Sequence, residues 1–132
     1  MMFLDACAII SLMTGEATKP TYEARLNQAT SACTSALAAW EAIIVLSRPE
    51  KLNRPYSIVE QAVILWLESR DIALSEPAAP REILSLAIAA AEKYGVGRRS
   101  LGSFDCFHYA YAKALRQPLL TLDAALLQTD AV

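Results

Sequence analysis

Met2-Phe3-Leu4-Asp5-Ala6-Cys7-Ala8-Ile9-Ile10 is the stretch from which the fold can be read. Met2–Leu4 is short and apolar, as in a strand buried on both faces, and it stops at a carboxylate. Ala6–Met13 is apolar and compact enough for a buried helix, and Gly15 offers a left-handed C-terminal stop. The same cadence returns further along. Ala32–Thr34 reads as a second strand, Ser35 as an N-cap, and Ala36 to about Ser47 as a helix that Pro49 closes. Ile72–Leu74 and Leu119–Leu122 read as third and fourth strands, the last followed by Asp123 and a helical turn over Ala124–Leu127.

Between these units the chain is helical. Pro20–Gln28 reads as a polar helix with Tyr22 and Leu26 on one face. Ser57 is a candidate cap for a helix whose apolar face runs through Ile58, Val59, Ala62, Val63, Leu65, Trp66 and Leu67. Pro80 opens a helix to Tyr94, Gly95 and Gly97 end it, and Ser103 is a candidate cap for Phe104–Leu115. Strands alternate with helices, and each strand lacks a polar face. That pattern predicts an α/β fold with a short, mainly parallel sheet flanked by helices and right-handed crossovers.

The 132 residues suit one domain, residues 1–132. Hydrophobic residues make up 55% and charged residues 20%. That is ample for a core, and high enough that a partner or second copy is expected to cover part of the surface. The net charge of −2 excludes a globally basic nucleic-acid binder, so phosphate contacts must come from local patches. Arg48, Lys51 and Arg54 form one, and Lys93, Arg98 and Arg99 another; each reads equally as a solvated loop. The three cysteines, Cys7, Cys33 and Cys106, are too few and too dispersed for a disulfide or zinc framework and read as small buried residues. Trp and Tyr positions likewise suggest core. No basic leader precedes the first apolar run, and no apolar stretch reaches the ~18 residues of a membrane span. A reducing, cytoplasmic location and no membrane contact are expected.

The acids carry the chemistry. Most of the 14 Asp and Glu residues lie in polar stretches beside Lys or Arg. Asp5 is instead the only charged residue in 1–15, Glu41 in 30–47, Asp105 in 100–112 and Asp123 in 117–129. A carboxylate in apolar surroundings costs several kcal/mol unless compensated. Asp5 and Asp123 end strands, Asp105 sits in a first helical turn, and Glu41 lies about two turns into the helix after the second strand. In an open parallel sheet these places meet at the C-terminal edge, where ligands bind. With no neighbouring Lys or Arg, an all-oxygen set calls for Mg²⁺ or Mn²⁺ rather than zinc. Each Asp could alternatively cap a helix, and Glu41 could pair with a distant Arg. His108, three residues after Asp105, reads as packing and is given no role.

The residues resemble a known family. Phe3-Leu4-Asp5-Ala6-Cys7-Ala8-Ile9-Ile10 resembles the opening of PIN-domain proteins, and Ser35-Ala36-Leu37 with Trp40-Glu41-Ala42 resembles their second acidic motif. Tyr94-Gly95-Val96-Gly97-Arg98, Phe104-Asp105-Cys106-Phe107 and Tyr109-Ala110-Tyr111-Ala112-Lys113 are similar to one branch of VapC-type toxins. Pro118-Leu119-Leu120-Thr121-Leu122-Asp123 resembles the final strand and fourth acid. Two departures stand out. Cys7 replaces a frequent Ser or Thr, and Asp123 follows the Thr-x-Asp form of other PIN proteins rather than that branch's own ending.

The resemblance implies a PIN-like three-layer fold, metal-dependent RNA cleavage, homodimerisation and neutralisation by a VapB-like antitoxin. On this reading Asp5, Glu41, Asp105 and Asp123 hold one or two Mg²⁺ or Mn²⁺ ions that activate water for phosphodiester hydrolysis, and Arg98 and Arg99 contact RNA phosphates. A haloacid-type phosphatase also opens on strand-Asp, but Cys7 stands where its second Asp belongs. A non-catalytic PIN-like binding module in a regulatory complex is the alternative.

Overall fold

The computed structural model describes residues 1–76 and 79–132. β1 (Met2–Leu4) passes directly into Asp5, whose extended backbone starts α1 (Ala6–Thr14), and Gly15 closes that helix at φ 70°. The chain continues through α2 (Lys19–Gln28), β2 (Ala32–Thr34), α3 (Ala36–Leu46), α4 (Tyr56–Ser69), β3 (Ile72–Leu74), α5 (Pro80–Tyr94), α6 (Ser103–Leu115) and β4 (Leu119–Leu120), and ends in a 3₁₀ turn at Leu126–Gln128. Ser35 caps α3 as expected, its hydroxyl accepting from the Ala38 N–H at 3.0 Å.

The strands pair in the order β3-β2-β1-β4, every pair parallel. A helical crossover joins each strand to the next in sequence. Successive crossovers step from β1 to β2 to β3, and the last returns the chain to the far side of β1. The strand order therefore reverses at β1, and in open parallel sheets ligands bind outside the C-terminal ends of the strands at such a reversal.

Because side chains alternate along a strand, even these short strands face two cores. Leu4, Ala32, Ile72 and Leu120 pack with Ile9, Tyr22, Leu46 and Leu67 on one face. Phe3, Cys33 and Leu119 pack with Ile83, Ala87, Tyr109 and Leu126 on the other. The sheet is thus the middle of three layers; β1, β2 and β4 are largely buried, while Ala73 and Leu74 of the edge strand β3 are exposed.

Several boundaries differ from the sequence reading. β4 stops at Leu120 because the next amides turn to side chains: Leu122 N–H donates to the Tyr22 hydroxyl at 2.8 Å and Asp123 N–H to Thr121 Oγ1 at 3.0 Å. α4 begins at Tyr56 after Pro55, so Ser57 lies inside the helix, and α6 begins at Ser103 with Gly102 in the flanking position. Only Val59, Val63 and Leu67 of α4 are buried, while Ile58 and Leu65 are exposed. Cys7 is exposed, unlike Cys33 and Cys106. Trp40 and Tyr56 are also exposed rather than core. Among the described residues, no helix is long and apolar enough to cross a membrane.

Candidate active site

Asp5 directly follows β1, where the strand order reverses, and is almost fully buried, 1% exposed. Its Oδ1 accepts from Ala8 N–H at 2.9 Å, so it caps α1. Burial pushes its carboxyl up to about 6, against the lowering pull of a hydrogen bond from Thr121, the Ala8 amide and the charge of His108; the negative charge of Asp105 adds to the rise. Asp105, in the first turn of α6, reaches back to the Gly102 N–H at 3.0 Å. Burial raises its carboxyl first, and the charges of Asp123 and Glu41 raise it further. Asp123 accepts the Leu126 N–H at 3.0 Å through Oδ2.

All three aspartates therefore cap helical turns, but capping does not use up a site residue. A carboxylate has two oxygens, and an amide cap occupies one of them. Capping holds each group in place and leaves it able to accept a second ligand.

Glu41 has a partner that the sequence reading did not assign. His108, buried on α6 at 1% exposure, stands 2.7 Å through Nε2 from Glu41 Oε2. The buried Nδ1 of His108 has no hydrogen-bond partner. His108 is thus more than packing: it ties the acid of α3 to the helix that carries Asp105. The signal was its spacing of three residues from Asp105, which sets both on one side of α6.

Thr121 was the other omission. It is fully buried, its hydroxyl accepts from Asp123 N–H, and it is hydrogen-bonded to the Asp5 carboxylate, so it links the acid that follows β1 to the segment that follows β4. Its position two residues before Asp123 is the spacing of a side-chain turn.

Cys7, in the first turn of α1, senses the whole group. Its thiol is pushed up by the crowded protein around it and then by the charges of Asp5, Asp123, Asp105 and Glu41 in turn. The four carboxylates therefore share one electrostatic neighbourhood, and no Lys or Arg is among the leading influences on Asp5, Cys7 or Asp105. Among the described residues, no three His, Cys, Asp or Glu side chains stand ready to close around a metal as they are. The donor chemistry still fits a hard cation: oxygen ligands, one of them deeply buried, with no Lys or Arg among the leading influences on Asp5 or Asp105.

The basic patches lie outside this cluster. Arg98 and Arg99 are exposed on the loop before α6, and Arg99 has φ 66°. Lys51 pairs with Glu16 at 3.1 Å, and Lys93 lies 5.2 Å from the Tyr94 ring centre.

The PIN domain family model matches residues 2–132. Among solved structures, the chain is similar to VapC20 of Mycobacterium tuberculosis, a toxin that cleaves the sarcin–ricin loop. The TM-score is 0.68 at 14% identity, over 100% of this chain and 98% of that one. A comparison with curated proteins finds no significant match.

Proposed function

This chain belongs to the PIN-domain family, and from that premise we propose that it is a Mg²⁺- or Mn²⁺-dependent endoribonuclease. We further propose that its 132 residues act as one domain, as the cytoplasmic toxin of a VapBC-like pair. The observation that supports the reading is that Asp5, Glu41, Asp105 and Asp123 all bear electrostatically on the Cys7 thiol, with no Lys or Arg among the leading influences on Asp5, Cys7 or Asp105. Within this proposal, the four acids hold one or two ions. Once bound, such an ion supplies charge neutralisation and water activation for hydrolysis of a phosphodiester bond. Asp5 is held by Ala8 and Thr121, Asp105 by Gly102, Asp123 by Leu126 and Glu41 by His108, so each carboxylate is set before a ligand arrives. Arg98 and Arg99, exposed on the loop before α6, are proposed to contact backbone phosphates. A homodimer and a VapB-like antitoxin that covers the carboxylates complete the proposal. The structural likeness to VapC20 supports this in fold alone.

The deciding experiment is cleavage of RNA by the purified chain with Mg²⁺ or Mn²⁺, with EDTA, and after metal is restored. Loss with EDTA and recovery on restoration are expected. Full activity in metal-stripped protein would sink the mechanism, and no cleavage under any condition would leave a non-catalytic module. In cells, expression of the chain alone should slow growth and Asp5→Ala should not. Equal growth at matched expression would count against the toxin role.

A further inference from the structure

Trp40 and Phe104 are 52% and 40% exposed, although both are large aromatics in a chain with ample core. Their rings meet edge to face, with centroids 5.8 Å apart at 84°. Each directly precedes a site carboxylate, Glu41 on α3 and Asp105 on α6. The same two helices are joined next door by Glu41 and His108 at 2.7 Å. The aromatic pair and the acid–imidazole pair are therefore adjacent bridges across one helix junction, which fixes the rings at the rim of the carboxylate cluster. An edge-to-face pair uses the face of only one ring, so it leaves aromatic face open to solvent.

We propose that Trp40, steadied by Phe104, is a stacking platform for one unpaired base of the RNA substrate, next to the bond to be cut. The inference rests on the ribonuclease reading and adds the means by which the site grips RNA. A chain of net charge −2 with four acids at its centre repels phosphates, so bound metal and the exposed arginines must be supplemented by a contact that needs no charge. Stacking supplies one, and it requires a base splayed out of a helix. Trp40 also lines a groove of about 560 Å³ with Ile43, Tyr56 and Leu74, which gives the next base an apolar surface to follow. The substrate is thus an unpaired loop or single strand rather than an uninterrupted duplex.

The test uses the full chain and a short unstructured RNA whose cut position has first been mapped with wild type. Trp40→Ala should raise KM roughly 10–100-fold with kcat little changed, and Trp40→Phe should restore most of the loss. Replacing one base beside the cut by an abasic ribose should impose the same penalty on wild type and none further on Trp40→Ala. In a Trp66→Phe background Trp40 is the only indole, and its fluorescence should be quenched by the RNA but not by the matching duplex. The idea falls if wild type cleaves and Trp40→Ala keeps the wild-type KM, or if the Trp40→Ala and abasic penalties add. It falls equally if Trp40→Ala loses only capture of an apolar protein partner. If wild type cleaves no RNA with metal present, the ribonuclease reading itself has failed, an outcome distinct from the others.

Discussion

Two groups of carboxylates in this fold are treated in opposite ways. Near the C-terminus, Asp130 accepts from the hydroxyls of Tyr109 at 2.8 Å and Tyr94 at 3.0 Å and from Lys113 Nζ at 3.2 Å. The hydrogen bond from Tyr109, with those from Lys113 and Tyr94, holds its carboxyl down at about 2. Asp5 and Asp105 also accept backbone amides, yet their carboxyls are raised. The difference lies in burial and charge, since Asp130 is half exposed beside a lysine and Asp5 is buried beside other acids. A carboxylate whose charge the chain satisfies is part of the scaffold. One buried among other acids, without a cation, is on the proposed reading a ligand for a metal ion.

The sharpest way to break this comparison is Asp105→Asn. Asparagine keeps the acceptor that holds Gly102 but removes the charge. Cleavage should fall at least roughly 100-fold, beyond the loss typical of a supporting residue. Metal-free stability should hold or rise, because the repulsion from Asp123 and Glu41 is relieved. A variant that unfolds, or one that cleaves like wild type, would move Asp105 into the scaffold with Asp130.

The two groups should also separate by pH. An unfolded Asp ionises near 3.8, and Asp5 in the fold near about 6. Between these values the fold holds a proton that the unfolded chain has released. Metal-free stability should thus fall as pH rises from about 4 to about 6, by about 2–3 kcal/mol. Asp130 acts in the other sense: its lowered pKa stabilises the fold above the unfolded value, and that contribution is lost as pH falls toward about 2. Urea melts of wild type and Asp5→Asn across this range check the sign. If both proteins show the same fall between pH 4 and 6, Asp5 is not its source.

Asp130→Asn is the matching control. Its half-exposed ion pair is screened by solvent, so the loss should stay within about 1 kcal/mol. Cleavage should be unchanged. A large drop in turnover at wild-type melting temperature would mean that the C-terminal clasp belongs to the site.

Much of the architecture was legible because β1, β2 and β4 are largely buried and all four strands are short apolar runs that stand out against amphipathic helices. β1, β2, β3 and α5 fall within the residues read for them. The end of β4 was not legible, because Tyr22, about a hundred residues away in sequence, takes the amide that would have continued the strand. The four acids stood out by isolation, a property of local sequence. Their partners did not, since the bond between His108 and Glu41 spans 67 positions. Trp40 was misread as core because composition along a helix says how apolar a face is, not whether a neighbour covers it.

Asp123 gives the smallest effect and the finest test. It lies three residues beyond β4 and caps the terminal turn through Oδ2 to Leu126, so the scaffold role is directly visible. Its charge also raises Asp105 and the Cys7 thiol, which makes it an electrostatic neighbour of the other acids. Asparagine caps about as well as aspartate, so Asp123→Asn should melt within a degree or so of wild type. If the carboxylate also serves as a ligand, losing its charge should weaken one metal and raise the Mg²⁺ needed for half-maximal cleavage several-fold, with the plateau reached at high Mg²⁺. Thr121 sharpens the reading. Thr121→Val removes the hydroxyl that accepts from Asp123 N–H and bonds Asp5, so it should shift the same titration while leaving every carboxylate present. A magnesium curve for Asp123→Asn that overlays wild type would assign the residue to the turn alone, on the same side of the comparison as Asp130.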